Sequence, residues 1–144
     1  MSTRAIIGIK NADGTITGGW QWSDGMGLVS LLREQFDTLE KVQELIRNGV
    51  WSTMVSPKDT GNLKRFTEWT ERKDSCYYLV LVGKCHLLKE KPSDTAKFCF
   101  GDDYSITVNE DGSMTFADFK TAKGQDINYL YLFYPESCEW KVFP

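Results

Sequence analysis

The chain has 144 residues, 41% of them hydrophobic, 13% aromatic and 26% charged, with 17 Lys and Arg against 20 Asp and Glu. That length suits one domain with a sizeable core (residues 1–144), and the aromatic content excludes a disordered or collagen-like chain. A formal net charge of −3 supplies no basic field for non-specific grip on nucleic acid.

The run Met1–Lys10 is too short in apolar residues for a secretory segment, and no apolar stretch approaches the roughly 20 residues a helical membrane span needs. The expectation is a cytoplasmic protein with no membrane contact. Cys76, Cys85, Cys99 and Cys138 could form two disulfides, but without an export signal reduced thiols are the expectation.

In chain order, residues 3–10 alternate, with Ala5, Ile7 and Ile9 on one face. Asn11-Ala12-Asp13-Gly14 supplies turn chemistry, and Thr15–Trp22 returns with Ile16, Gly18, Trp20 and Trp22 on one face. Ser23–Gly27 breaks that strand. Leu28, Leu31, Leu32 and Phe36 then recur at helical spacing. Thr38 with an acidic neighbourhood starts a second helix through Leu39, Val42, Leu45 and Ile46, closed by Asn48-Gly49.

Residues 51–65 carry little signal, with a loop marked by Pro57, Asp59, Gly61 and Asn62, and Leu63, Phe66 and Trp69 are spaced by three as in a short helix, so helix or loop stays open over 51–75. Cys76–Val82 is apolar on both faces, as in a central strand, and Lys89–Thr95 reads as a surface loop. Strands follow at 104–108, 113–116, 128–134 and 139–143. The pattern predicts an α+β fold: a mostly antiparallel sheet built from hairpins, with two N-terminal helices packed on one face. Its exposed strand edges leave a homo-oligomer open. The segments 11–17 and 109–115 share the pattern N-x-D-G-[ST]-x-T, which reads as one turn solution reached twice.

Chemistry-bearing motifs are scarce. His86 is the one histidine, and Cys85 beside it would point to the opposite face of a strand. His86 with Cys76, Cys85 and Cys99 lacks a close chelating pair for zinc, and Asp24, Asp102 and Asp103 show no calcium-loop periodicity. No P-loop, G-x-G-x-x-G or G-x-S-x-G occurs. The expectation is a non-enzyme without metal or cofactor. A metal- or His86-dependent hydrolase is the remote alternative.

The stretch Gly18–Gly27 is the best ligand candidate. Its glycines would let a ligand approach the backbone, Trp20 and Trp22 could stack on a base, and Arg4 could reach a phosphate. The helix start beyond Asp24, Gly25 and Gly27 would offer free N–H donors. The plain alternative is that the tryptophans are core and the glycines shape a strand-to-helix turn.

The N-terminus, Met1-Ser2-Thr3-Arg4-Ala5-Ile6-Ile7-Gly8-Ile9-Lys10-Asn11 with Asp13-Gly14, resembles a group of small uncharacterised bacteriophage and prophage proteins. Members carry a W-D-G-Y-P-like turn where this chain has Trp22-Ser23-Asp24-Gly25-Met26-Gly27, with an inserted Ser and no Tyr-Pro. The second helix and the Tyr129–Phe133 strand followed by Trp140-Lys141-Val142 are similar too. The resemblance covers the first 50 residues well and the last 20 loosely. It implies a phage setting inside a bacterial host. With it, the expectation is a binding protein that counters a host defence system, either as a sponge for a nucleotide messenger or as an inhibitor that binds a host defence or nuclease protein.

Overall fold

The computed structural model describes residues 3–51, 53–55, 79–81, 84–86, 100 and 104–144. Within them the chain is α+β with a mostly antiparallel main sheet. The strands are β1 (Ala5–Lys10), β2 (Ile16–Gln21), β3 (Val50–Trp51), β4 (Thr53–Val55), β5 (Leu79–Leu81), β6 (Lys84–His86), β7 (Ile106–Val108), β8 (Met114–Phe116), β9 (Tyr129–Tyr134) and β10 (Glu139–Phe143). The helices are α1 (Val29–Gln35), α2 (Leu39–Ile46) and α3 (Phe119–Lys123).

The main sheet has seven strands in the order β10-β9-β1-β2-β8-β7, with β3 also pairing with β2, and β4-β5-β6 forms a second sheet. Hairpins account for β1–β2, β7–β8 and β9–β10. The mostly antiparallel expectation misses one central feature: β1 runs parallel to β9, with Ile7 opposite Tyr131. The β2–β3 and β4–β5 pairs are parallel as well. Apolar runs at β1 and β9 suit such pairing, because both strands are buried on both faces.

Period-two alternation divides the apolar side chains into two clusters. Ala5, Ile7, Ile9, Tyr131 and Phe133 join Leu28, Leu32, Phe36, Val42, Leu45 and Ile46 on one side. Ile6, Leu130, Leu132, Ile16, Trp20, Met114 and Phe116 form the other. α2 starts on Thr38, whose side chain accepts from the Lys41 N–H, with Lys41 paired to Asp37 at 2.9 Å. Its end is fastened by Asn48 Nδ2 donating to Leu45 O at 2.7 Å, before Gly49 turns the chain at φ +70°.

Several expectations shift. The weak signal after residue 50 hides two short strands, because Val50 and Trp51 pair alongside Trp20 and Gln21 and Thr53–Val55 follows as β4, while the loop read at Pro57–Asn62 lies outside the described residues. The strand read at 76–82 appears as Leu79–Leu81, between β4 and β6. Sequence reading gave nothing for 119–123, where Asp118 caps α3 by accepting from the Thr121 N–H at 2.7 Å. The readings at Leu63, Phe66 and Trp69, at Lys89–Thr95, and at Cys76, Cys99, Asp102 and Asp103 lie outside the described residues. Among the described residues, no helix is long and apolar enough to cross a membrane.

The repeated motif is repeated in geometry. In the first turn, Asn11 N–H donates to Thr15 O and Gly14 N–H to Asn11 O. In the second, Asn109 N–H donates to Ser113 O and Gly112 N–H to Asn109 O. Gly14 and Gly112 occupy φ +92° and +103°, backbone that favours glycine. The flanking registers match: Ile9 opposite Thr17 in one hairpin corresponds to Thr107 opposite Thr115 in the other. β2 and β8 then pair antiparallel with Thr17 opposite Thr115. The order β1-β2-β8-β7 therefore has a local two-fold axis between those two threonines.

Candidate functional site

The six residues singled out around Gly18–Gly27 do not form one surface. Trp20 is opposite Ile6 in register and belongs with it to the cluster on one side of the sheet. Gly25 instead lies against Ala5, and Leu28 belongs to the cluster on the other side. The tryptophans and the start of α1 are thus separated by the sheet.

The glycines are mostly occupied by the chain itself. A Cβ at Gly18 would lie 2.6 Å from Ile7 O, and one at Gly19 would lie 2.4 Å from the Trp51 ring. The glycine at 19 admits Trp51, which is 1% exposed and donates from Nε1 to Gln21 Oε1 at 2.8 Å. Gln21 in turn donates to Ser23 O at 2.6 Å. Sequence reading missed Trp51 here because its partner lies thirty positions away and a two-residue strand has no periodicity to detect.

Arg4 is engaged as well. Its Nε donates to Asp126 O at 2.8 Å and its Nη2 to the Asp126 carboxylate at 3.0 Å. Asp24 sits at φ +58° and its Oδ2 accepts from the Thr53 hydroxyl at 3.0 Å. Gly25 N–H donates to Thr3 O at 2.9 Å, and the Tyr131 hydroxyl donates to Gly25 O. Tyr131 also accepts from Leu28 N–H at 3.3 Å, so the N-cap donor expected to be free is taken. Burial raises the Tyr131 phenol above its ordinary value. Gly27 has open space around its Cβ position, at φ +73°.

What remains is an aromatic group. Trp22 is 40% exposed and meets buried Trp20 edge-on, with ring centroids 5.5 Å apart. Phe100 leans on Trp20 from 5.2 Å. The Trp20 Nε1–H is buried and has no hydrogen-bond partner among the described residues. The arrangement offers a partly exposed ring face on a buried aromatic base.

A second concavity lies on the opposite side of the sheet, a cleft of about 560 Å³ between α2 and the strand ends, reached by Lys10, Thr17, Arg47 and Ser113. Arg47 faces the Asp111 carboxylate across 3.7 Å. Sequence reading assigned no role to this place. His86 and Cys85 fall in β6; Cys138 is exposed and unbridged. Among the described residues no group of three or more His, Cys, Asp or Glu gathers as a metal would require.

Comparison with known protein families, with curated proteins and with solved structures finds no match to any of them.

Proposed function

We propose that the chain is a non-catalytic binding protein of the phage type, which counters a host system by sequestering a nucleotide messenger, with the base stacked on Trp22. The observation that carries this reading is the partly exposed Trp22 ring braced edge-on against buried Trp20. A purine or pyrimidine brings a flat π face that matches the exposed Trp22 ring. In the same reading, α1 and α2 pack on the other face of the sheet and α3 covers part of the tryptophan face, which leaves the Trp22 ring for the ligand. Arg4 and Gly27 have no part in the contact, since Asp126 holds the first and the second belongs to the turn ahead of α1.

Calorimetry of the full chain against a panel of mono-, di- and cyclic nucleotides tests the proposal. Stacking on an aromatic is worth about 1–3 kcal/mol per base, so Trp22→Ala should weaken binding about five- to 150-fold. Trp20→Phe keeps a ring and removes the donor, and should cost less than Trp22→Ala. A panel with no binder, or binding indifferent to Trp22→Ala, overturns the reading.

A further inference from the structure

We propose that the cleft beside α2 is a binding site for a small oxyanion, a phosphate or carboxylate group held by the Thr17 hydroxyl and flanked by Lys10 and Arg47. It is independent of the tryptophan surface: Thr17 is opposite Ile9, whose side chain belongs to the other face of the sheet from Trp20.

The argument follows the direction of hydrogen bonds through the repeated turn. An ionised carboxylate accepts and never donates, and the bonds from Thr15 hold the Asp13 carboxyl below the usual carboxylate range. The Thr15 hydroxyl, 2.6 Å from Asp13 Oδ1, therefore donates its proton there. Having spent that proton, Thr15 can only accept from the Asn11 side chain at 3.0 Å, which fixes that atom as Nδ2. The same Nδ2 lies 2.8 Å from Thr17 Oγ1, so Thr17 is an acceptor towards Asn11 and keeps its own O–H proton for something else.

The second turn runs the same sequence. Ser113 donates to Asp111 Oδ1 at 2.6 Å, and Asn109 Nδ2 donates to both Ser113 and Thr115 at 3.0 Å. Thr115 is left with a spare O–H, directly opposite Thr17. Cross-strand partners bring their Cβ atoms to about 5 Å, so two polarised donors stand side by side on the local two-fold axis. Among the described residues neither hydroxyl donates to an acceptor, and both threonines are half-buried.

The charges nearby are loosely held. Lys10 Nζ reaches Gly14 O only at 3.5 Å, and the Arg47–Asp111 pair is long and about half exposed. Such a pair is worth little in itself, so both cations can turn to a ligand. Ile9, Leu39 and Ile46 form an apolar floor that would limit competing water. Two carboxylates also line the cleft, Glu136 and the Asp111 that faces Arg47, and an incoming anion must displace the second from that cation.

Inorganic phosphate and succinate are the probes, neither of which carries a base to stack, so failure here leaves the tryptophan reading standing. Titration of the full chain, followed by backbone amide shifts and by melting temperature, should saturate with at least one probe. Which one saturates identifies the class of oxyanion. Thr17→Val, Lys10→Gln and Arg47→Gln should each weaken binding about tenfold or more, as loss of a charge-assisted bond does. Thr17→Ser, which keeps the hydroxyl, should bind as the parent. Glu136→Gln should tighten binding, and the exposed Thr107→Val should leave it unchanged. Should Thr17→Val fail to fold, the two cation variants decide alone. No saturable shift with either probe, or affinity unmoved by Lys10→Gln and Arg47→Gln, overturns the proposal.

Discussion

The two hairpins β1–β2 and β7–β8 share a turn and a register but not an environment. The same Asn–hydroxyl–Asp network closes both. Yet β1 and β2 are six residues long and almost wholly buried, whereas β7 and β8 are three residues each and partly exposed. β2 has neighbours on both sides, while β7 is last in the order of the described strands. The comparison separates two influences that usually arrive together: turn chemistry sets register locally, and packing alone decides how far the strands extend and what a substitution costs.

The widest expected gap lies at the equivalent positions 19 and 117. Gly19→Val would drive a side chain into Trp51 and Gly49 O, and overpacking on this scale costs about 3 kcal/mol. Ala117→Val, at an exposed site just past β8, should stay within about 0.5 kcal/mol. Urea unfolding of both variants measures the difference; equal losses would mean that the turn rather than the packing governs both hairpins.

A smaller gap is expected at the two asparagines. Asn11→Ala and Asn109→Ala each remove two side-chain bonds, worth about 1–3 kcal/mol together. The loss at Asn11 should be the larger, because it loosens a strand paired on both sides. Chemical denaturation of the two variants in parallel checks the order.

The smallest effect is a dependence on pH. Hydrogen bonds from Thr15 lower the Asp13 pKa in the folded chain, and bonds from Lys41 and Thr121 do the same for Asp37 and Asp118. A lowered folded pKa means the unfolded chain takes up protons first, so this stability is present above about pH 4 and is lost as pH falls below it. Carboxyl carbon NMR titration should find Asp13 ionised at a pH where a model peptide is protonated, and Thr15→Ala should erase that difference.

The first hairpin and α2 were legible because each carries its own evidence. Alternation over Ala5–Ile9 and Ile16–Trp20 states the faces, and Thr38, Leu39, Val42, Leu45, Ile46 and Gly49 spell out a cap, a stripe and a stop. The parallel pairing of β1 with β9 was not legible, since alternation fixes a strand's faces and never its neighbour. Nor was the candidate site. Gly18 and Gly19 look like ligand clearance until Ile7 O and Trp51 are seen to fill the space. Arg4 looks free until Asp126 arrives from far along the chain. The repeated motif was visible as a pattern, but its consequence for hydroxyl polarity needed the distances.

The parallel β1–β9 pair carries a consequence for the order in which the molecule is made. Strand β1 can close on β2 through a tight turn as soon as residue 21 is available, a microsecond event for a hairpin. Its other edge, Ala5 to Ile9, waits for Tyr129 to Phe133. More than a hundred residues must therefore be synthesised or reeled in before the innermost strand is flanked on both sides. Contacts of such long sequence separation slow folding, and until they form, a wholly apolar strand edge stands open to other chains. A strand buried on both faces in the finished protein is thus sealed only late in its birth.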